Sequence, residues 1–356
     1  MAGARERRIP DEERASHIAD LKPSKNMSTP ESPGISLVNT AQKAPSWTRS
    51  FFTLDVGFHG LMLGAALTVL AVVGLILSEL LQRSALAWQK FGFHFFATSA
   101  WDPVSGDFGA LPFIFGTVVS SIVALVIAVP LAISVAVFVT EMCPKPLRKP
   151  ISFATELLAA IPSVIYGLWA MFILIPILRV NVAPLLAKYL GWTGLFAGPM
   201  YGYSMLAAGV VMAIMIIPII SSITREVLAV VPQHQREAAL ALGATRWEMI
   251  RIGVLKNARA GIIGAIILGL GRALGETIAV TLEIGNTPQI AKSLFAPGYT
   301  MASVIANEFN EASDTLYVSA LIEIGLVLFI VTVVVNILAQ LLVWTATRGA
   351  PAGSNV

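Results

Sequence analysis

A cation and an anion stand four residues apart in a stretch with no other charge from Ala260 to Leu282: Gly271-Arg272-Ala273-Leu274-Gly275-Glu276, preceded by Gly264-Ala265-Ile266-Ile267-Leu268-Gly269-Leu270. Residues four apart share one helix face. An ionisable group is costly to bury in apolar surroundings, so it persists where it is paired or where it serves a charged substrate. Two chemistries fit. Either Arg272 and Glu276 form a helix-stabilising ion pair facing protein, or the planar guanidinium fork of Arg272 is a waypoint for an oxyanion. Gly264, Gly271 and Gly275 leave room on this helix for another backbone. Ser163 follows Pro162, which either breaks its helix and frees backbone groups to line a cavity, or only kinks it. Glu323 lies seven residues into the apolar run that starts near Leu316. At 1.5 Å per residue that is ~10 Å inside a core about 30 Å thick, a depth that Arg272 shares if its helix starts near Arg259. Glu323 either joins the Arg272 site or snorkels to the outer surface.

Other chemistries find no residues. Cys143 is the sole cysteine, and His17, His59, His94 and His234 are scattered without metal-ligand spacing, so no metal site and no catalytic centre is expected. No G-x-x-x-x-G-K-[ST] phosphate loop is present, so the chain is not expected to hydrolyse ATP or to bind a cofactor itself.

The elements that must position these residues are membrane helices. Hydrophobic residues make up 56% of the 356 and charged residues 13%, against about 25% charged in soluble domains. Charge is absent between Asp107 and Glu141, between Glu156 and Arg179, and between Lys188 and Arg225. Each gap exceeds the ~20 apolar helical residues that span a bilayer. The expected fold is all-α: a polytopic helical membrane protein with six transmembrane helices near 57–81, 112–140, 151–178, 203–223, 259–282 and 316–345. Residues 1–50 form a polar tail, read as disordered and cytoplasmic. Residues 51–346 form the permease domain, and 347–356 a short cytoplasmic C-terminal tail. Of the 24 Lys and Arg, 18 fall on the side of both termini, five on the other, and Arg272 within a span. The positive-inside rule therefore puts both termini in the cytoplasm. The net charge of +3 follows this topology and gives no ground for a nucleic-acid partner. Trp88, Phe91, Phe93, Phe95, Phe96 and Trp101 crowd the first outer loop, as an interfacial aromatic belt or as a docking surface.

The cytoplasmic segment 231–257 is the most informative soluble stretch. Pro232 suits a first helical turn, and Glu237 to Leu242 is a strong helix-forming run. Gly243 suits a left-handed C-terminal position, and Thr245 with Glu248 has capping-box spacing. This predicts a short helix, a sharp turn and a second helix leading into the fifth span. A DNA-reading helix-turn-helix has a similar outline, but this one is tethered between two membrane spans. As chemistry it is either a plain amphipathic connector or a rigid lever for a cytoplasmic partner.

Glu237-Ala238-Ala239, followed by Gly243-Ala244-Thr245 and Trp247, resembles the EAA loop of ABC importer permeases. The resemblance implies a coupling helix in which Glu237, Ala238, Ala239 and Gly243 contact a separate ATPase. It departs at Leu255-Lys256, where that family often has Leu-Pro, which bears on how the fifth helix begins. Gly-Arg-Ala-Leu-Gly-Glu is similar to a motif of several oxyanion permeases. The longer run 270–280, with Ile161-Pro162-Ser163-Val164-Ile165-Tyr166-Gly167-Leu168-Trp169 and Phe108-Gly109-Ala110-Leu111-Pro112, resembles the PstC-type permease subunits of bacterial phosphate importers over roughly residues 55–345.

That resemblance implies a type I ABC importer permease fold in the bacterial inner membrane and phosphate import by alternating access. It places Arg272 and Glu276 along the substrate path, to which the Pro162 break adds Ser163 and depth in the membrane adds Glu323. It further implies a PstA-like second permease, a PstB-like ATPase dimer that hydrolyses the ATP, and a PstS-like external binding protein. Sulfate or molybdate is the alternative cargo. An ion-coupled secondary transporter is the rival class, but the inverted repeat it calls for is not visible.

Overall fold

The computed structural model describes residues 47–347, with side chains from Gly57 to Thr345, so nearly all of both tails lies outside the described residues. The chain divides into two units, one ending at Ala66 and the other running from Leu67. The described part of the first is the leading portion of an apolar helix, α1 (Trp47–Arg83).

The second unit carries the remaining elements. Helices α2 (Ala85–Phe91) and α3 (His94–Ala97) lead into a hairpin of two-residue strands, β1 (Trp101–Asp102) and β2 (Asp107–Phe108). Next come α4 (Leu111–Val137), extended by the π-helical turn Phe138–Met142, and α5 (Lys145–Ala160). Helices α6 (Ser163–Trp169), α7 (Ile175–Ile177) and α8 (Ala183–Leu190) are joined by π-helical turns into one rod. Then follow α9 (Met205–Val230), α10 (Gln233–Ala241) and α11 (Arg246–Glu248), the last feeding through another π-helical turn into α12 (Lys256–Leu274). Helices α13 (Ile278–Glu283), α14 (Met301–Glu308) and α15 (Thr315–Thr347) complete the chain.

Six segments among the described residues are long and apolar enough to cross a membrane: Gly57–Arg83, Leu111–Met142, Ser163–Thr193, Met205–Val230, Arg246–Leu274 and Thr315–Thr345. Four agree with the expected spans to within about a helical turn or two, and two differ for stated reasons. The third was expected as one helix over 151–178. Instead α5 ends at Ala160, Ile161 and Pro162 are extended (ψ 128° and 142°), and helix resumes at Ser163. A proline lacks the N–H that would continue the helix and pushes the residue before it out of the helical region. Pro162 is therefore a break. The fifth span was expected over 259–282, but its helix starts at Arg246 and stops at Leu274. Leu255-Lys256 lies inside it, so with no proline there the helix begins early and runs on.

Packing is organised around α9. At its C-terminal end Arg225 meets Glu156 of α5 at 3.4 Å. Higher up, Val211 and Met215 pack with Tyr166 and Ala170, and then Leu206 and Ala207 with Ile175, Leu178 and Ala183. The α5–α8 strand of helices thus runs antiparallel to α9. So does α12–α13: Leu228 and Val231 pack with Ala258 and Ile262, while Gly269 lies against Ile220. Helices α5–α8 and α12–α13 therefore run parallel to each other.

Most of the aromatic residues between the first two spans turn inward. Phe91, Phe95, Phe96 and Trp101 pack with Phe108, Phe113, Met301 and Tyr317, and Phe95 is fully buried. Trp101 also donates from Nε1 to Glu308 at 2.7 Å. These residues form the core of a cap, where hydrophobic burial outweighs membrane anchoring; Trp88 and Phe93 alone of the six stay largely exposed. Asp102 closes the hairpin by accepting from Val104 N–H and Ser105 Oγ, both at 2.9 Å, and these bonds hold its carboxyl below the usual carboxylate range. Below the cap, a Cβ at Gly116 would strike the carbonyl of Tyr299. Neither side is a movable side chain, so Gly116→Ala is expected to destabilise the protein by about 1–3 kcal/mol, read as a lower Tm of the purified chain in detergent.

Candidate functional site

The polar site is built where two helices break side by side. α12 ends at Leu274, and α13 starts after the non-helical step Gly275-Glu276-Thr277. Glycine at the helix end and a carboxylate just ahead of the next helix both favour a break. Glu276 bridges it. Its Oε2 pairs with Arg272 Nη2 at 3.2 Å, and its Oε1 accepts from the Ala279 N–H at 3.4 Å. Glu276 thus spans a helix end where a common helical face had been expected.

The partners differ in exposure. The Glu276 side chain is 3% exposed and that of Arg272 48%. No further hydrogen-bond acceptor for Arg272 occurs among the described residues. Gly264 and Gly271 have open space where a Cβ would point, and Leu268 between them is exposed. This face of α12, with Arg272 on it, is uncovered in the chain, and the backbone expected to approach it is not supplied by the described residues.

Ser163 belongs to the same level. Gly167 of α6 approaches α13 so closely that a Cβ would stand 2.7 Å from Leu282 Cδ1 and 3.1 Å from Ala279 Cα. The two helices run parallel. Ser163, four residues before Gly167, and Glu276, three before Ala279, are thus each about one turn, ~5–6 Å, below that contact. Ser163 and Glu276 therefore stand at about one depth, with Arg272 a turn further back along α12.

Glu323 is buried and does not join the ion pair. It is 1% exposed, and its helix neighbours Leu321 and Ile324 pack into the cluster with Phe113 and Met301. It makes no ion pair with Arg272, and neither carboxylate oxygen has a hydrogen-bond partner. Burial at this level rules out snorkelling in this conformation. Glu283 is an acidic residue that sequence reasoning missed. It is fully buried with both oxygens unpartnered, one residue beyond the expected end of the fifth span. The signal was present, since Glu283 is the one charge between Glu276 and Lys292.

The loop 231–257 folds as expected in nearly every detail. Pro232 stands just outside α10 rather than in its first turn. Glu237, Ala238 and Gly243 are exposed, and Ala239 is half-buried against the helix base. Gly243 adopts φ 84°, and the following Ala244 N–H bonds back to Ala239 O at 3.2 Å. The Thr245–Glu248 capping box is complete: Thr245 Oγ1 accepts from Glu248 N at 3.3 Å, and Glu248 Oε2 accepts from Thr245 N at 2.8 Å. Leu242 and Trp247 beside it are exposed apolar side chains.

Comparison with known proteins places this geometry. Residues 128–344 match the family model described as "Binding-protein-dependent transport system inner membrane component". The chain is 46% identical over 296 residues to the phosphate transport system permease protein PstC of Mesorhizobium japonicum, covering 82% of this chain and 90% of that one. The PstC protein of Haemophilus influenzae is 45% identical, with 84% and 94% covered. Among solved structures, a bacterial ABC transporter involved in importing the acidic polysaccharide alginate matches with a TM-score of 0.53 at 18% identity, covering 83% of this chain and 99% of that one. At that identity the likeness speaks for the fold alone.

Proposed function

The chain belongs to the inner-membrane components of binding-protein-dependent transport systems, and from that premise we infer that it is the permease subunit of an ATP-driven importer of inorganic phosphate. It is a multi-pass membrane protein with the fold of type I ABC importer permeases. Relatives named as phosphate permeases cover most of its length at about 45% identity. The observation that carries the chemistry is the half-exposed Arg272 guanidinium on an uncovered face, held on one side by a buried carboxylate. A protein of this family works with an ATPase and a binding protein. The finer assignment is a PstA-like permease covering the open α12 face, a PstB-like ATPase dimer under α10 and a PstS-like protein outside. Both termini lie in the cytoplasm by the excess of basic residues on that side. ATP is hydrolysed by the partners, and this chain contributes no cofactor site.

In this reading phosphate replaces Glu276 on Arg272. The anion gains a charge-assisted fork of donors, while Glu276 keeps its bond to α13 through the other oxygen. Ser163, at the same depth, supplies a neutral hydroxyl. Glu323 and Glu283 are buried acceptors that repel an anion until the helices part.

The test is reconstitution of the four-component complex in vesicles, with radiolabelled phosphate outside and ATP on the ATPase side. ATP-dependent phosphate uptake, undiminished by excess sulfate or molybdate, is expected. Competition by either anion would make it the cargo instead. Uptake driven by an ion gradient without ATP would place the chain among secondary transporters. In the same assay Glu323→Gln is expected to lower uptake about tenfold, the effect of ~1.4 kcal/mol. Normal uptake at every phosphate concentration would remove Glu323 from the path.

A further inference from the structure

The helix α10 is tied to the membrane spans by polar side chains that the anion site does not use. Arg236 points back from α10 toward the membrane rather than out to the cytoplasm. Its side chain is 13% exposed, and that of Glu141, at the cytoplasmic end of the second span, 7%. Arg236 Nη2 donates to Glu141 Oε1 at 2.8 Å, and Nε lies within 3.4 Å of both carboxylate oxygens. The same guanidinium donates to the last carbonyls of the fourth span, Leu228 O at 2.9 Å and Val231 O at 2.5 Å. One side chain therefore joins α10 to two spans. The adjacent Gln235 joins it to a third: Asn257 Nδ2 donates to Gln235 Oε1 at 2.6 Å, at the base of the fifth span.

Packing holds α10 on one side, where Ala239 and the Gln235 carbonyl lie against the turn at Gly253. None of its residues is buried, and beside the ion pair lies a cleft of about 700 Å³ walled by Met142, Arg148, Leu240, Arg246 and Trp247. The fourth span continues directly into α10. The second is 95 residues away in sequence, and Arg236–Glu141 is its polar tie to α10 among the described residues. A multidentate arginine–carboxylate contact resists distortion, because separating its members leaves a buried charge unpaired.

We propose that the Arg236–Glu141 pair is the joint through which displacement of the coupling helix moves the second span together with the fourth. Both are positioning residues and neither touches the cargo. The inference rests on the reading of α10 as the ATPase-coupling helix. The alternative it must beat is transmission by apolar packing alone, for Ala136 and Val137 of the second span also pack against Leu228 and Val231.

The experiment uses the full importer complex in vesicles and measures ATP turnover, uptake of the transported anion and ATPase-subunit stoichiometry in the same preparation. Glu141→Gln keeps size and an acceptor, and leaves the two carbonyl bonds of Arg236 in place. It is expected to retain the ATPase subunits and ATP turnover while uptake per ATP falls about tenfold. Arg236→Gln should fall at least as far, and the double variant no further than the worse single, as members of one unit behave. Arg236→Lys, which keeps the charge, should recover part of the ratio. Wild-type uptake per ATP in Glu141→Gln or Arg236→Gln overturns the joint. So does loss of the ATPase subunits from Glu141→Gln, which makes the pair a structural prop. The ratio is taken for whichever anion the wild-type complex carries. An error in the phosphate assignment therefore shows in the wild type, and an error in the joint shows only in the variants.

Discussion

Arg272→Ala abolishes anion uptake while the chain still inserts and still assembles with its partners. The guanidinium lies on an open face and makes one ion pair, at 3.2 Å, with Glu276. Its removal therefore opens no cavity in the packed core around α9. What is lost is a charged donor for the cargo. Truncating one side of a close charged contact costs about 2–5 kcal/mol, or ~30- to several-thousand-fold in affinity. The rival account, in which the pair only stabilises the helix, makes an opposite prediction for the double variant. Removing Arg272 alone strands Glu276, whose side chain is 3% exposed, so deleting both charges should then restore uptake. Under the waypoint account Arg272→Ala/Glu276→Gln stays inactive. Uptake by the single and double variants in vesicles, with co-purified partner as the assembly control, separates the two. A rescued double variant rules the waypoint out.

The second large effect is expected at Gly243. Its φ of 84° is a conformation that side chains bearing a Cβ resist, most of all β-branched ones. Space is not the obstacle, since a Cβ there would meet nothing within 4 Å. Gly243→Val is thus a test of backbone conformation alone. Strain of about 1–3 kcal/mol exceeds what a short exposed turn withstands, so the turn between α10 and the Thr245 cap reorients. ATPase association should weaken by ~10-fold or more while membrane insertion is unchanged. Gly243→Asn, a residue that tolerates the left-handed region, should retain most of the association. Equal association of the Val variant and the wild type, measured by co-purification, would remove this turn from the docking surface.

Much of the fold was legible because its determinants are local. The capping box at Thr245 and Glu248 and the left-handed Gly243 depend on a few consecutive residues, and the structure reproduces them. Pro162 was legible only as a choice between kink and break, since whether a helix resumes in line after a proline depends on what packs on either side. The early start of the fifth helix was hidden for the same reason. Met249, Ile250 and Val254 look like part of a cytoplasmic loop until Leu228 and Val231 are seen packing against them.

The sequence by itself determined the class of molecule: uncharged runs longer than a bilayer crossing, a basic excess on one side, and an arginine four residues from a glutamate in an apolar stretch. These follow from the cost of putting charge and unpaired backbone into lipid, a cost that applies residue by residue. Only the tertiary structure decided which polar groups meet. Ser163 reaches the depth of Glu276 because Gly167 lets α6 close on α13. Glu323, assigned by depth to the same site, is buried without a hydrogen-bond partner and makes no ion pair with Arg272. Distance along a helix measures height and says nothing about the direction in which a side chain faces. The Arg236–Glu141 contact joins residues 95 apart, and no local pattern announces it, because a long-range pair exists only once both helix ends have been brought together by packing.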